Sequence, residues 1–204
     1  GGAAVKVGKY QTPDDAPCHV LEHEVLAGVV LDAVRNAGID RTDIGSMVMA
    51  LPRQYTRQKY FATFMANALH LSCTGTVMEA LGNGMTGGLA LDLGMNEILL
   101  GRAKVALVLG ASFETATSAS EHANNSMRTT GDVDFHAPMG FVPISWYAMD
   151  AMRYMHEHGV DRRELASVAV KNRDHAVLNP IAQYRKPISV EDVLAQRPIV
   201  EPLG

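Results

Sequence analysis

The sequence predicts an α/β fold in which helices pack against a mixed, mostly parallel sheet. Short apolar segments alternate with segments whose apolar residues recur at helical spacing, which gives the order β-α-β-α-β-α-β as far as Gly110. A helix between successive strands is typical of a parallel sheet, because the chain must cross back before it begins the next strand. The third predicted strand runs into a glycine-dense turn, 82–88, from which another helix leaves.

Each predicted strand is a short apolar run closed by turn residues. The last one has a continuous apolar run, which predicts a strand buried on both faces of the sheet. The third one is expected to be the central strand. The predicted strands are 3–10, 46–51, 77–81 and 104–110.

The predicted helices have apolar residues on one side and polar residues on the other. In the first of them, Val25, Leu26 and Val29 belong to the apolar stripe, and Gly38 marks the end. The helices of this part of the chain are 19–36, 60–70 and a third that stops at Gly101.

The character of the sequence changes after Ala111. A polar stretch rich in Ser, Thr and Asn, 112–134, predicts an excursion over the surface. Two amphipathic helices follow, near 145–158 and 162–179, with Gly159 and Asp161 marking the break between them.

Composition bounds the class of protein. The 204 residues are 47% hydrophobic and 20% charged, with a net charge of −4, as in ordinary soluble globular chains. The mild acidic excess gives no support to nucleic-acid binding, and no apolar run is long enough to span a bilayer. Cys18 and Cys73 form neither a metal-type spacing nor a disulfide pattern, so we expect a reducing, cytoplasmic location. No signal peptide is expected at the start of the chain.

The glycine-dense turn is the best candidate for a functional site. A chain that leaves a strand and enters a helix abruptly needs positive φ angles or close backbone approach, and glycine supplies both. The start of the helix points unpaired backbone N–H groups and the positive end of its dipole at whatever lies above the turn. The sequence therefore predicts a place where an anion or a developing oxyanion is held.

The run Asn83-Gly84-Met85-Thr86-Gly87, the helix after it and the segment 101–110 resemble the nucleophile segment of thiolases. The likeness is greatest to the sterol-carrier or lipid-transfer branch, and Met139-Gly140, 171–173 and 178–184 resemble that branch in the same order. The resemblance implies a thiolase-like N-terminal half. Its core would be 1–114, and 115–204 would be an inserted, mainly helical loop domain that begins the return to the core. The family's second half, with its catalytic histidine and second cysteine, would be absent from this chain.

Counting back from Gly101, the nucleophilic cysteine of the family falls on Gly84. Conventional thiolases need a thiolate there to take the acyl group covalently. The resemblance therefore favours an acyl-CoA enzyme that acts on a carbon–carbon bond of a β-hydroxyacyl- or β-ketoacyl-CoA by retro-aldol-type cleavage. Two alternatives are a non-catalytic subunit that binds acyl-CoA or scaffolds a partner, and a conventional acetyl-CoA acetyltransferase, which Gly84 disfavours.

Candidate site residues follow from the turn and from the resemblance. Gly84, Thr86 and Gly87 would form the loop that holds the thioester oxygen, with Thr86 as a candidate hydrogen-bond donor, and Tyr147 is a candidate for proton transfer. The predicted substrate-binding residues are Asn83, Met85, His136, Met139 and Gly140. The predicted contacts to the phosphates of coenzyme A are Lys171, Arg173 and Arg185.

Plainer roles remain open for several of these residues. His136 could instead fix the backbone of its loop. Trp146 and Tyr147 could be core residues, and charged residues on amphipathic helices are usually solvated. His19 and His23 have a metal-compatible spacing without an evident third ligand, so a solvated helix face is the better interpretation.

The resemblance also implies partners. A homodimer would form about a two-fold axis near the strand 77–81. A second subunit would supply the missing half, or a zinc-ribbon plus OB-fold protein would associate with the chain. No cofactor is expected beyond the coenzyme A thioester as substrate, and neither a nucleic acid nor a membrane is expected as a partner.

Overall fold

The sheet that organises the fold has three parallel strands among the described residues. The structure is a computed structural model that describes residues 1–5, 22–51, 58–114, 118–129 and 131–204. Its strands are β1 (Ser46–Ala50), β2 (Val77–Ala80) and β3 (Ala106–Gly110), in the order β2-β1-β3. Met47 lies opposite Val77 on one side and Leu107 on the other. The predicted α/β class with a parallel sheet is confirmed.

Helices cover both faces of this sheet. Alternate residues of β1 point to opposite faces, and both sets include buried apolar side chains. Met47 and Met49 pack with buried residues of α1 (Glu22–Ala37) and α2 (Phe61–Ala68). Val48 and Ala50 pack on the other face with Ala80 and with Ala90 of α3 (Thr86–Leu99). All five residues of β1 are buried, so β1 is the centre of the described sheet.

Two expectations about the strands are wrong for the described residues. β2 is an edge strand, because β1 lies between β2 and β3. β3 pairs only with β1 in the described sheet and is not buried on both faces, since Val108 is 36% exposed and only Leu109 is buried. Of the predicted first strand, 3–5 has no strand structure and 6–10 lies outside the described residues.

The helix α3 is apolar on two sides. One side, with Ala90 and Gly94, is buried against the sheet. Gly94 is needed for this close packing, since a Cβ atom there would lie 2.6 Å from Cγ2 of Val108. The other side has large apolar side chains that are between 41% and 76% exposed, namely Leu91, Met95, Ile98 and Leu99. Exposed Asp92 and Asn96 lie between these two sides, and a contiguous exposed apolar side is typical of an interaction surface.

The chain divides into two compact units, of which the first ends at Ser118 and the second begins at Ala119. The proposed division after 114 stays a prediction. The helices of the second unit are α4 (Ala119–Met127), α5 (Pro143–His158), α6 (Arg162–Leu178) and α7 (Val190–Leu194). α5 and α6 lie where they were predicted, whereas α4 and α7 were not predicted.

Side-chain caps fix the later helices of the second unit. Asp161 accepts hydrogen bonds from the backbone N–H groups of Arg163 and Glu164 at the start of α6. On α7 the cap is reciprocal: Ser189 Oγ accepts from the N–H of Asp192, and the carboxylate of Asp192 accepts from the N–H of Ser189. Arg163 then donates to the carboxylate of Glu191, which joins α6 to α7.

Candidate active site at the β2–α3 turn

The turn after β2 has the sharp geometry that the sequence predicts, but a different residue carries it. A single 3-10 turn, Asn83–Met85, follows β2 and leads directly into α3. Asn83 has a φ of 50°, whereas Gly82 has a φ of −152°. Of the described residues 82–88, only Asn83 has positive φ, so the glycines do not supply it. Gly82 instead allows close approach, since a Cβ atom there would lie 3.3 Å from Cδ2 of Leu89. Asparagine tolerates this left-handed conformation better than most residues with a side chain.

Thr86 holds the turn together. Its Oγ1 accepts a hydrogen bond from the backbone N–H of Gly82 at 2.9 Å and donates to the carbonyl oxygen of Asn83 at 2.6 Å. The N–H of Met85 closes the same turn on the carbonyl of Gly82 at 3.0 Å. Because the Thr86 hydroxyl proton is used within the turn, this geometry does not present it to a substrate.

Replacing Thr86 with valine is expected to lower the free energy of unfolding by about 1–2 kcal/mol, because the isosteric side chain leaves the Gly82 N–H without its acceptor. Chemical denaturation with urea measures the change. Thr86→Ser keeps the hydroxyl and serves as the control, expected to lie within about 0.5 kcal/mol of the wild type. Equal stability of all three proteins would contradict the role of Thr86 in the turn.

Gly84 presents bare backbone at this turn. The residue is exposed, and a Cβ atom built on it would meet nothing within 4 Å. Gly87, in the first turn of α3, is equally open. The neighbouring side chains are apolar, with Leu81 57% and Met85 71% exposed. N–H groups at the start of a 14-residue helix, beside an apolar border, can hold a thioester oxygen as negative charge develops on it.

A buried carboxylate, which the site predictions missed, anchors the far end of α3. Glu97 is 1% exposed, and its carboxylate accepts hydrogen bonds from Ser46 Oγ at 2.8 Å and the Thr76 N–H at 3.2 Å. It also forms an ion pair with Arg102 at 2.9 Å. Glu97 thus ties α3 to the starts of β1 and β2 and to the loop that precedes β3. The hydrogen bonds from Arg102 and Ser46 lower the pKa of Glu97 to about 2.

This low pKa predicts how stability depends on pH. The carboxyl has an ordinary pKa of 4.5 and a folded-state pKa of about 2, so its contribution is complete above 4.5 and is lost as pH falls towards 2. The thermal-unfolding midpoints of the wild type and Glu97→Gln should therefore differ most at neutral pH and converge in acid. The difference between the two midpoints cancels the contribution of other carboxyls that titrate in the same pH range. A difference that stays constant from pH 6 to 2 would contradict the assignment.

In the second unit, His136 is fixed by its own loop. Its Nδ1 accepts a hydrogen bond from the backbone N–H of Asp132 at 2.8 Å, so the neutral ring carries its proton on Nε2. The ring also contacts Phe141 and Trp146, with centroid distances of 5.8 and 5.1 Å. Gly131 allows this packing, because it has a φ of 81° and a Cβ atom there would lie 2.9 Å from Nδ1. The geometry favours a loop-fixing role and leaves the Nε2–H as a donor.

The other residues predicted in this unit lie on the same loop and on α5. Gly140 has a φ of 76° and ends the 3-10 turn Ala137–Met139, while Met139 is 55% exposed. Trp146 is half-buried and contacts the rings of His136 and Phe141, and its core role stays a prediction. Tyr147 is 66% exposed, so the core alternative is wrong for it in the described part of the chain. Its role in proton transfer stays a prediction.

The residues predicted to bind coenzyme A lie on α6 and on the segment after it. The guanidinium of Arg173 stacks over the ring of Tyr184 at 4.5 Å. Arg185 reaches the carbonyl oxygen of Val177 with a long hydrogen bond of 3.5 Å. Lys171 is exposed. Their contacts to phosphate stay predictions.

Among the residues that the structure describes, the thiol and the histidines outside the turn form no competing metal site. Cys73 is free and partly buried, and burial raises the pKa of its thiol. His23 packs edge-on against Phe64, while Cys18 and His19 lie outside the described residues. Within the described ranges, no group of three or more His, Cys, Asp or Glu side chains could hold a metal ion. Nor does this part of the chain contain a helix that is long and apolar enough to cross a membrane.

Comparisons with known proteins agree with this architecture. The family model for the thiolase N-terminal domain matches residues 7–199. The benzoylsuccinyl-CoA thiolase subunit BbsB of Thauera aromatica is 37% identical over 199 residues, which cover 91% of this chain and 47% of that protein. The 17-hydroxy-3-oxo-4-pregnene-20-carboxyl-CoA lyase of Mycobacterium tuberculosis is 30% identical over 219 residues, which cover 99% of this chain and 53% of that protein.

A solved structure gives the same result for the fold. The structure described as an Ltp2-ChsH2(DUF35) aldolase matches with a TM-score of 0.72 and 27% sequence identity, over 99% of this chain and 49% of that one. The chain spans about half the length of the relatives it matches. Since the family model covers nearly all of the sequence, the chain belongs to the thiolase family and has the fold of its N-terminal domain.

Proposed function

We propose that the chain is part of a thiolase-like enzyme that breaks a carbon–carbon bond of a β-hydroxyacyl-CoA by retro-aldol-type cleavage, without an acyl-cysteine. The bare backbone at Gly84 is the observation that carries the proposal, because the turn offers N–H groups but no nucleophile. The family includes relatives named as thiolases and one named as a lyase of a coenzyme A thioester. A conventional acetyl-CoA acetyltransferase is disfavoured, because glycine cannot form a thioester.

The proposed reaction needs a base and an oxyanion site. The base removes the proton of the β-hydroxyl, the bond between the α and β carbons breaks, and the β carbon leaves as a ketone or aldehyde. The electron pair of that bond enters the thioester as an enolate, which then takes a proton at the α carbon. The N–H groups around Gly84 and Gly87 would stabilise the enolate oxygen. Tyr147 is the candidate for proton transfer.

Further residues would position the substrate. Asn83 and Met85 border the turn and would contact the acyl group. His136, Met139 and Gly140 are also assigned to substrate binding, and the Nε2–H of His136 would serve as a donor. Lys171, Arg173 and Arg185 would bind the phosphates of coenzyme A.

A second candidate is a non-catalytic subunit that binds acyl-CoA or scaffolds a catalytic partner. The observation that favours it is Gly84, which leaves the turn without a nucleophile. The exposed apolar side of α3, formed by Leu91, Met95, Ile98 and Leu99, indicates a partner surface. In either proposal a second subunit or a zinc-ribbon plus OB-fold protein would cover such surface. The unpaired edge of β2 in the described sheet supports a homodimer at that strand. A relative named as a subunit and a solved two-component aldolase support an assembly.

The dependence on free coenzyme A tests the proposal. The protein is purified from its own source together with any bound partner and incubated with 3-hydroxy-3-methylbutyryl-CoA. Retro-aldol cleavage of this thioester yields acetone and acetyl-CoA. Cleavage without added coenzyme A, and unchanged after treatment with iodoacetamide, is the expected result. Gly84→Trp should reduce the rate at least about 100-fold by filling the site, whereas Gly28→Ala, in open space on α1, should not change it.

Other outcomes identify the alternatives. Coenzyme A-dependent cleavage of acetoacetyl-CoA that iodoacetamide abolishes would replace the proposal by a conventional thiolase. Binding of both thioesters with no cleavage of either would favour the non-catalytic subunit.

A further inference from the structure

The loop 131–141 is built around the ring of His136. The Nδ1 atom of this ring accepts the backbone N–H of Asp132 at 2.8 Å, and the ring contacts those of Phe141 and Trp146. The backbone of His136 closes the same loop, since its N–H donates to the carbonyl oxygen of Asp132 at 2.8 Å and its carbonyl oxygen accepts from the N–H of Phe141 at 3.2 Å. Both halves of the loop therefore depend on this one residue.

The observed loop requires a neutral His136. A nitrogen that accepts a hydrogen bond cannot also hold a proton, so protonation of Nδ1 would set its N–H against the N–H of Asp132. Histidine is the side chain that ordinarily changes its charge between pH 5 and 8. Since the closed loop excludes this proton from Nδ1 and an opened loop accepts it, the closed loop becomes less stable as the pH falls.

Among the described residues, no carboxylate accepts a hydrogen bond from the ring of His136. The loop has two carboxylates of its own, Asp132 and Asp134, and that of Asp132 accepts two backbone N–H groups within the loop. On the part of α5 that contacts the ring, the titratable side chains are Tyr147 and Asp150, and both are exposed. A protonated ring in the closed loop therefore gains no ion pair in exchange for the hydrogen bond that it loses.

Trp146 supplies a second reason for the loop to open. Its Nε1 atom is buried and has no hydrogen-bond acceptor among the described residues. A buried N–H group without an acceptor costs free energy, and contact with water recovers that free energy. Opening the loop would expose this N–H, so the loss of one hydrogen bond at His136 can shift the balance towards the open loop.

We propose that the loop 131–141 is a pH-sensitive switch, which is closed while His136 is neutral and opens when its Nδ1 is protonated. The inference rests on contacts within the loop and with α5, so it does not depend on the proposed function. Met139 and Gly140 lie on the same loop, so two of the residues assigned to substrate binding would move with it.

Hydrogen–deuterium exchange measured by mass spectrometry tests the switch on the protein purified together with any bound partner. The peptide 131–141 contains the amides of the loop, and labelling times are scaled for the change in chemical exchange rate with pH. Between pH 8 and 5.5, the protection of this peptide is expected to fall at least about tenfold in the wild type. Peptides from α6 are expected to keep their protection over the same range.

Two substitutions of His136 remove the titrating group in different ways. His136→Asn keeps an acceptor oxygen near the position of Nδ1, so its loop should stay protected at both pH values. His136→Phe keeps a ring but has no acceptor, so its loop should be poorly protected at both. His156→Asn, at an exposed histidine of α5, is the matched control and should keep the pH response of the wild type.

The pH response of the loop decides the outcome. A response that is present in the wild type and absent from both His136 variants would support the switch, whatever the level of protection in each variant. Equal protection of the wild-type loop at pH 8 and 5.5 would overturn the inference, and so would a response that persists in either variant. A loss of protection that α6 shares would also overturn it, because the unfolding would then not be confined to the loop.

Discussion

Replacing Glu97 with glutamine is expected to lower the midpoint of thermal unfolding by roughly three times as much as the same change at an exposed ion pair. The carboxylate of Glu97 is buried and accepts hydrogen bonds from Ser46, Thr76 and Arg102. Glutamine has one acceptor oxygen and a donor NH2 group, so one of these donors would face another donor. Losing these hydrogen bonds weakens the attachment of α3 at three places together, because the three donors belong to different segments.

The matched control is Glu157→Gln on α5. Glu157 accepts a hydrogen bond from Arg153 at 2.8 Å, but the two side chains are 47% and 78% exposed. Surface pairs of this kind contribute about 0.5 kcal/mol or less. A second comparison is Arg102→Met, which leaves the buried carboxylate of Glu97 with only the Ser46 and Thr76 donors and should also cost more than the change at Glu157. Equal shifts for Glu97 and Glu157 would contradict the anchoring role.

The sequence predicted the parallel sheet because alternating apolar strands and amphipathic helices leave few other arrangements. It did not predict which strand is central. The order of the strands depends on the direction in which each connection crosses the sheet. A continuous apolar run such as 104–110 does not indicate whether a further strand lies beside it. In the structure all five residues of β1 are buried, as expected for a central strand, whereas only Ala80 of β2 is buried.

The helix α4 shows a different limit. Ala119–Met127 has no buried residue, so it lacks the apolar stripe on which a prediction of a helix rests. The sequence of α4 therefore predicts a polar loop, because its apolar residues do not recur at helical spacing.

The candidate site was located from its glycines, yet its geometry depends on Asn83 and Thr86. Glycine density correctly marked the turn, but the left-handed residue is Asn83, and the Thr86 hydroxyl is used to close the turn. Glu97 left a signal that the prediction did not use. It lies seven residues after Ala90 and three after Gly94, so a charged residue occupies the buried side of α3.

Gly75→Ala is the second large expected effect, a loss of about 3 kcal/mol in the free energy of unfolding. The new Cβ atom would lie 2.2 Å from Ser46 Oγ, 3.1 Å from the carbonyl oxygen of Arg102 and 3.2 Å from that of Gly45. The Ser46 hydroxyl cannot move aside freely, because it donates to the carboxylate of Glu97. The substitution therefore strains the backbone before β2 and breaks the Glu97 contacts together. Urea denaturation measures the change, and Gly28→Ala, in open space on α1, is the matched control, expected to raise the free energy of unfolding by up to about 1 kcal/mol.

A double-mutant cycle with Ser46→Ala shows whether the closest contact is the cause. Removing Oγ should cost stability by itself, because Glu97 and the Thr76 N–H lose a partner. In that background Gly75→Ala should cost roughly 1 kcal/mol less than in the wild type, since the atom at 2.2 Å is gone and only the two carbonyl contacts remain. Strictly additive effects would instead assign the loss to the carbonyl contacts of Arg102 and Gly45. An unchanged stability for Gly75→Ala alone would contradict the close packing of this segment against β1, and with it the account of how Glu97 holds α3 beneath the candidate site.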